Sequence, residues 1–105
     1  MSGNYRVEKW AGAGSPDGNE LRAKLEGEGY KVLEWSDRPG ITYSTHQHEE
    51  DQSHCIVSGQ IEFTVGDQGV FVLGAGDRDY LPAGTPHSAR VVGDEVVFYL
   101  IGAKV

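Results

Sequence analysis

The chain has 105 residues and a mass of 11.4 kDa, which gives room for one hydrophobic core and excludes two. Sixteen acidic residues against nine basic ones give a formal net charge of −7 with no basic run, so we expect no nucleic-acid partner. No apolar run reaches the roughly 18 residues that span a bilayer, and no apolar signal core follows the N-terminus, so we expect a cytoplasmic protein with no membrane partner.

The first 35 residues predict two short strands with one helix between them. Residues 5–10 and 31–35 are the strand candidates. Ser15 and Pro16 are residues that favour a helix start, and Gly29 is typical of a helix end. We therefore predict one short amphipathic helix in this part of the chain.

From residue 41 onward the chain alternates short apolar stretches with glycine-containing turns. The stretch from Gln60 to Val65 alternates polar and apolar residues, which is typical of a strand with one buried face. Several such strands in succession predict an all-β sandwich or barrel. The candidate strands are 41–45, 54–58, 60–65, 70–73, 79–81, 88–92 and 96–101.

Three of the four histidines lie in two short segments next to turns. His46 and His48 are two residues apart, so on a strand both rings point to one face with Cα atoms roughly 6.6 Å apart. His87 follows a Pro/Gly turn that begins at Pro82. A single histidine is more often a surface or hydrogen-bonded residue, and a His-x-His pair alone is weak evidence for a metal. The pair together with the downstream histidine, in a chain with an all-β pattern, is much stronger evidence for a metal site.

These two segments resemble the two motifs of the cupin superfamily. Four residues match the first motif with the family's spacing: Gly40, His46, His48 and Gly59. Four residues match the second: Gly76, Pro82, Gly84 and His87. The chain departs from the family pattern at Gln52, where the first motif has Glu, and at Val91, where the second has Asn.

The resemblance implies an all-β fold, a double-stranded β-helix or jelly-roll cupin barrel, which the short N-terminal helix predicted above would accompany. It implies one cupin domain over 1–105, in which 1–35 hold the N-terminal strand and helix and 36–105 form the barrel with both metal motifs. It also implies a homodimer to which the N-terminal strands contribute.

Carried over to this sequence, the resemblance implies that His46, His48, Gln52 and His87 hold a divalent transition metal. Imidazole suits Zn, Cu, Fe and Ni, and an oxygen ligand extends the choice to Mn. An amide ligates more weakly than a carboxylate and is no base near neutral pH. The ion would keep its full charge, so anionic chelating ligands should be favoured.

Four further residues are candidates for the wall of the pocket. Thr42 and Ser44 share the strand parity of the His-x-His pair, and His54 shares that of the glutamine. The last strand is apolar on both faces, so one face supplies a hydrophobic wall, with Phe98 as its candidate.

Charged residues lie near both motifs. Four are candidate general bases: Glu49, Glu50, Asp51 and His54. For the three acids, a solvated turn is the favoured interpretation.

Near the second motif, we expect Arg78 to form a surface salt bridge with Asp77, Asp79 or Asp94 rather than to bind a substrate carboxylate.

Three functions remain open at this point. The first is a metal-dependent enzyme on a small chelating substrate, dioxygenase-like or an isomerase or lyase. The second is a non-catalytic small-molecule binding or sensing module with the same pocket. The third is a structural cupin in which dimerisation matters and the histidines do not.

Overall fold

The structure, a computed structural model, describes residues 4–105. In chain order the elements are β1 (Arg6–Glu8), α1 (Gly18–Gly27), β2 (Lys31–Asp37), β3 (Thr42–His46), β4 (Gln52–Ser58), β5 (Gln60–Val65), β6 (Gly69–Leu73), β7 (Arg78–Tyr80), β8 (His87–Val92) and β9 (Val97–Ala103). The prediction of a β chain with one short N-terminal helix is confirmed. No helix in the described part of the chain is long and apolar enough to cross a membrane.

The strands form two antiparallel sheets. The five-stranded sheet has the order β1-β7-β4-β9-β2, and the four-stranded sheet has the order β3-β8-β5-β6. Strands that are neighbours in a sheet are mostly far apart in the chain, as in a double-stranded β-helix. Both strands of the N-terminal segment join the larger sheet, β1 beside β7 and β2 beside β9.

The main core lies between the facing sheets. The alternation in β5 buries Ile61, Phe63 and Val65 while Thr64 stays exposed, because successive side chains of a strand point to opposite faces. The buried members of this core are Tyr5, Ile56, Ile61, Phe63, Val65, Leu73, Leu81, Ala89, Val91, Val97 and Tyr99.

Helix α1 covers the outer face of the five-stranded sheet. It begins after Asp17, whose carboxylate accepts the backbone N–H of Asn19 at 2.8 Å. The predicted start at Ser15 and Pro16 was therefore too early. Leu25 is fully buried in a second cluster with Cys55, where burial raises the pKa of the thiol to about 11. Cys55 is thus a packed apolar residue rather than a nucleophile.

The expectation of a surface salt bridge at Arg78 was wrong. Its side chain is buried, and it donates to the two carboxylate oxygens of Glu28 at 3.0 and 2.9 Å and to the hydroxyl of Ser53. The hydrogen bond from Arg78 lowers the pKa of Glu28. This ion pair ties the residue after α1 to β7.

Replacing Glu28 with Gln should lower the free energy of unfolding at pH 7 by about 1–3 kcal/mol, because a buried guanidinium loses its carboxylate partner. The pKa of Glu28 is lower in the folded than in the unfolded chain, so the pair stabilises the fold above the unfolded value, near 4.5. That contribution is lost as the pH falls through the folded pKa. Urea denaturation at pH 7 and in acid measures both effects.

Glu26→Gln is the matched control, because the ion pair that Glu26 forms within residues 4–105 is an exposed one, with Arg22 at 3.6 Å. We expect it to change the free energy of unfolding by less than about 0.5 kcal/mol. A loss in Glu28→Gln that stays unchanged as the pH falls far below the unfolded pKa of about 4.5 would contradict the assigned ion pair.

Gly59, in the turn between β4 and β5, has a φ of +82°. A Cβ at this position would lie 2.6 Å from the carbonyl oxygen of Val96 and 2.7 Å from the Cα of Val97. Gly84 has a φ of +75°, but a Cβ there would meet nothing within 4 Å. These two of the four motif glycines therefore differ, because Gly59, unlike Gly84, is also required for close backbone approach.

Gly59→Ala should lower the free energy of unfolding by about 2–4 kcal/mol, through the left-handed backbone and the clash together. Gly84→Ala should lower it by about 1–2 kcal/mol, through the backbone alone. Thermal denaturation of both variants measures the difference. Equal destabilisation would show that the backbone of Val96 moves away at little cost.

Candidate metal centre

Three predicted metal ligands converge at the end of the four-stranded sheet. His46 ends β3 and pairs directly with His87, which begins β8, and His48 follows two residues after His46. The ring centroids are 4.3 Å apart for His46 and His87, and 4.8 and 5.1 Å for the two pairs with His48. Their ligand atoms all lie within 4.8 Å of one another, so the three histidines form a cluster able to hold a metal ion.

Backbone carbonyls orient two of these rings. Nδ1 of His46 lies 2.7 Å from the carbonyl oxygen of Ser44, and Nδ1 of His87 lies 2.9 Å from that of Thr85. Because a carbonyl only accepts, each Nδ1 carries the hydrogen, and each Nε2 keeps its lone pair. Such hydrogen bonds are the usual support of metal-binding histidines.

Burial favours the neutral, metal-binding form of two of the three imidazoles, those of His48 and His87. Desolvation lowers the pKa of His87 to about 4, against an opposing effect of the Thr85 carbonyl, and the nearby imidazoles lower it further. Desolvation also lowers the pKa of His48, and the neighbouring His46 adds to this. The donor set therefore fits a divalent transition metal at neutral pH.

Gln52 lies in the same cavity wall as the three histidines. It begins β4, its side chain is buried, and its amide nitrogen donates to the carboxylate of Glu50 at 3.0 Å. This leaves the amide oxygen as the atom for a metal.

The three acids that were candidate general bases lie outside the cavity wall. Asp51 accepts the backbone N–H of Ala83 at 2.8 Å, and Glu49 is exposed. None of the three acids lines the cavity, which favours a solvated acidic turn.

The histidines line a cavity of about 340 Å³ between the sheets. Its other walls are mostly aromatic and aliphatic. Among the described residues that line it, none is Asp, Glu, Lys or Arg. The lining residues are Leu33, Trp35, Tyr43, His46, His48, Gln52, His54, Ile61, Phe63, His87, Ala89, Tyr99 and Ile101.

The family model described as Cupin domain matches residues 33–101, which contain both strands of the histidine cluster. The chain belongs to the cupin family. A comparison with curated proteins found no match.

Solved structures of similar fold support this assignment. A conserved protein with a double-stranded β-helix domain from Klebsiella pneumoniae is 27% identical over 69% of this cupin and 60% of that chain, with a TM-score of 0.62. Oxalate decarboxylase from Lactobacillus farciminis, in a formate complex, is 22% identical over 71% of this cupin and 24% of the decarboxylase, with a TM-score of 0.64. The cupin domain of Drosophila melanogaster CENP-C is 18% identical over 69% of this cupin and 59% of the CENP-C chain, with a TM-score of 0.63.

These neighbours are longer than this cupin. It spans 60% of the Klebsiella protein, about a quarter of the decarboxylase and 59% of the CENP-C chain. The likeness to the last two, at 22% and 18% identity, shows the fold alone.

The predicted inward orientation of Thr42 and Ser44 differs from the structure. Both are exposed, and Tyr43 lines the cavity instead. Between the pairs Tyr43–Ala89 and His46–His87, β3 has one residue more than β8, which is a β-bulge. The extra residue reverses the parity of β3 before the histidines, and no feature of the sequence marks its position.

Phe98 is also outside the cavity. It is 51% exposed on the outer face beside Ser36, and Tyr99 and Ile101 supply the cavity wall from β9. The sequence predicted an apolar wall from this strand but chose the wrong face. Both faces of β9 are apolar, because α1 covers Leu100 on the outer side. The alternation of polar and apolar residues therefore could not show which face of β9 lines the cavity.

His54 lies in the cavity wall and is held by a buried carboxylate. Its Nδ1 is 3.0 Å from both oxygens of Asp79, which is fully buried and also accepts the hydroxyl of Tyr5 at 2.9 Å. Burial, reinforced by the charge of Asp79, raises the pKa of Tyr5. Sequence reasoning missed this role of Asp79, which it offered as one of three alternative partners for a surface salt bridge.

A second carboxylate beside the cavity was also missed. Asp37 accepts the hydroxyls of Tyr43 at 2.9 Å and Tyr99 at 2.8 Å, and the indole of Trp35 donates to Tyr43 at 3.2 Å. Burial, followed by the hydrogen bond to Asp37, raises the pKa of Tyr99. These contacts fix three aromatic walls of the cavity.

His48→Ala should abolish stoichiometric metal binding, because it removes one of three converging imidazoles. Gln47→Ala is the matched control, since Gln47 is the exposed residue between the two histidines. Metal analysis of both variants, purified without chelator beside the native protein, measures the effect. Full metal content in His48→Ala would exclude His48 as a ligand.

Proposed function

We propose that this cupin is a metal-dependent enzyme that acts on a small chelating anion. His46, His48, His87 and the amide oxygen of Gln52 would hold a divalent transition metal. The observation that carries the proposal is the convergence of three imidazoles in the wall of an apolar cavity. The metal, when bound, would supply a Lewis acid that polarises substrate oxygens.

The charge of the site argues for an anionic substrate. Three neutral imidazoles and an amide leave both positive charges of a divalent ion uncompensated. The described cavity wall contains no carboxylate, and its aromatic surroundings screen charge poorly. A ligand with two negatively polarised oxygens would therefore neutralise the ion.

The cavity also limits the size and the chemistry of the substrate. A volume of about 340 Å³ admits a small molecule, whose carbon atoms would contact Trp35, Phe63 and Tyr99. The side chain at position 52 is an amide, so a reaction that borrows a ligand carboxylate as base is excluded. Dioxygen-dependent cleavage of a chelated substrate, an isomerisation and an elimination remain the candidate reactions.

The alternative is a non-catalytic binding or sensing module with the same metal and cavity. One structural neighbour is a decarboxylase and another is the cupin domain of CENP-C, so the fold does not separate the two functions. The pocket favours small-molecule binding over a purely structural role. A cytoplasmic location and a homodimer stay predictions from the sequence.

Metal analysis followed by a substrate panel separates these functions. The panel contains diketones, catechols, flavonols, thiols and oxalate, with oxygen uptake and product formation as readouts. Metal-dependent turnover that disappears in His48→Ala supports an enzyme. Metal-dependent binding without turnover of any compound favours the module, and a chain that binds no metal after reloading contradicts both.

Gln52→Glu should weaken oxalate binding tenfold or more while metal binding is retained, because a carboxylate beside the ion repels the anion. Titration of the cobalt-substituted protein, followed by its visible spectrum, measures the affinity. Thr42→Glu adds the same charge on the exposed face of β3 and should change the affinity less than about twofold. Equal affinities in the native protein and Gln52→Glu would contradict the charge argument.

A further inference from the structure

The ring of His54 lies between a buried carboxylate and the cavity. His54 lines the cavity, whereas Asp79 does not. Asp79 accepts the backbone N–H of His54 at 2.7 Å and the hydroxyl of Tyr5 at 2.9 Å. Because this carboxylate acts as an acceptor, the Nδ1 of His54 that lies 3.0 Å from both of its oxygens carries a hydrogen. The two nitrogens of an imidazole point in nearly opposite directions, so Nε2 is directed away from Asp79.

Nε2 of His54 is open to the cavity. In the described part of the chain no hydrogen bond reaches this nitrogen, and no buried side-chain nitrogen or oxygen lacks a partner, so Nε2 is not sealed in the core. The other polar groups of the wall are occupied. The indole of Trp35 donates to Tyr43, and the hydroxyls of Tyr43 and Tyr99 donate to Asp37. Apart from the proposed metal ligands, Nε2 is the side-chain nitrogen of the described wall that is left for a bound molecule.

Aromatic packing fixes the direction of Nε2. The ring of His54 lies 4.8 Å from that of Phe63 and 6.4 Å from that of Tyr99, measured between ring centroids. Asp79, which is fully buried, holds the other end of the ring. A side chain that is already fixed loses little conformational entropy when a ligand binds, so its hydrogen bond contributes to affinity and specificity.

His54 lies beside the candidate metal centre. Gln52 and His54 are two residues apart on β4 and both line the cavity, so they share one face of the strand, with Cα atoms roughly 6.6 Å apart. A small molecule that chelates an ion at Gln52 and the three histidines would therefore extend past His54. The part of the molecule beyond its chelating atoms is the part that can contact Nε2.

The cavity favours a neutral polar group at this place. A hydroxyl both donates and accepts, so it can bind Nε2 whether or not that nitrogen carries a hydrogen. Among the described lining residues none is Lys or Arg, so a second carboxylate would be buried without a cationic partner. An apolar group would leave Nε2 unpaired, which is unfavourable.

We infer that the substrate is a chelating anion with a hydroxyl group beyond its chelating atoms, and that Nε2 of His54 binds this hydroxyl. His54 is then a substrate-binding residue that determines specificity, and its contact with Asp79 keeps the ring in place. The inference rests on the proposed function, because the chelating end of the substrate requires the metal.

Picolinate and its hydroxyl derivatives test the inference in the cobalt-substituted protein. Picolinate chelates a metal through its ring nitrogen and its carboxylate, and the hydroxyl of 4-hydroxypicolinate or 5-hydroxypicolinate points away from the ion. Titrations followed by the visible spectrum give the dissociation constants. For at least one hydroxyl compound, the affinity relative to picolinate should be at least about fivefold higher in the native protein than in His54→Asn.

His54→Asn removes Nε2 and retains a donor for Asp79, because the amide nitrogen of Asn takes about the place of Nδ1. Ile101→Val is the matched control, since Ile101 lies directly opposite His54 on β9 and lines the cavity. This substitution changes the wall without changing its polarity. It should therefore alter the ratio of the two affinities less than about twofold. Circular dichroism establishes that each variant is folded.

Nitrogen NMR of the native, zinc-loaded protein tests the same contact without a variant. The chain has four histidines and three are proposed ligands, so the ring signals that zinc changes least belong to His54. The Nε2 signal of His54 should move when the preferred hydroxyl compound replaces picolinate, because a new hydrogen bond forms at this nitrogen. If His54→Asn does not fold, this measurement decides alone.

The outcomes distinguish this inference from the proposed function. A preference for a hydroxyl compound that depends on His54, or the expected change of its Nε2 signal, supports the inference. Picolinate binding in which the hydroxyl brings no such preference and no such change overturns the inference and leaves the metal site standing. Tighter His54-dependent binding of pyridine-2,5-dicarboxylate than of 5-hydroxypicolinate also overturns it, because an acid then takes the place of the hydroxyl. A cobalt spectrum that none of these compounds changes contradicts the proposed metal site and the inference with it.

Discussion

The cross-strand pair of His46 and His87 is the contact on which the candidate metal centre depends. Antiparallel pairing of β3 with β8 sets these residues opposite each other, and the chain after β3 brings His48 to the same point. In both paired histidines the ring bonds a carbonyl two residues earlier in the chain. A local hydrogen bond and a distant strand pairing therefore act together, because neither alone orients two imidazoles toward one ion.

Two carboxylates support the cavity without entering it. Asp79 accepts hydrogen bonds from His54 and Tyr5, and Asp37 accepts them from Tyr43 and Tyr99. Asp79 is fully buried and Asp37 is half-buried, and such an acceptor fixes the side chains that bond to it, since leaving it unpaired is unfavourable. The described cavity wall consequently consists of well-held side chains, none of which is Asp, Glu, Lys or Arg.

Trp35 belongs both to the cavity and to the open edge of β2. Its indole donates to Tyr43 across the gap between the two sheets, while nearly half of its surface remains exposed. Trp35 thus connects the two sheets at the rim of the cavity, although the histidine cluster lies on the other sheet.

Alternation along the chain was sufficient to predict the strand-rich architecture, and the resemblance of two motifs to those of the cupins added the fold family and the three histidines. These features follow from short-range patterns: period-two alternation in β5, glycines at positive φ, and two motifs of set length. The sequence did not predict which residues around the histidines face the cavity. One extra residue in β3 reversed its parity, and β9 is apolar on both faces.

The partners of Asp79, Asp37 and Arg78 were likewise outside the reach of sequence analysis. Asp79 bonds Tyr5 across 74 positions, and Arg78 bonds Glu28 across 50. Such contacts arise only when strands distant in the chain become neighbours in a sheet. The sequence by itself therefore determined which side chains can bind a metal, and only the tertiary structure decided what surrounds them, because burial and long-range pairing depend on how the two sheets face each other.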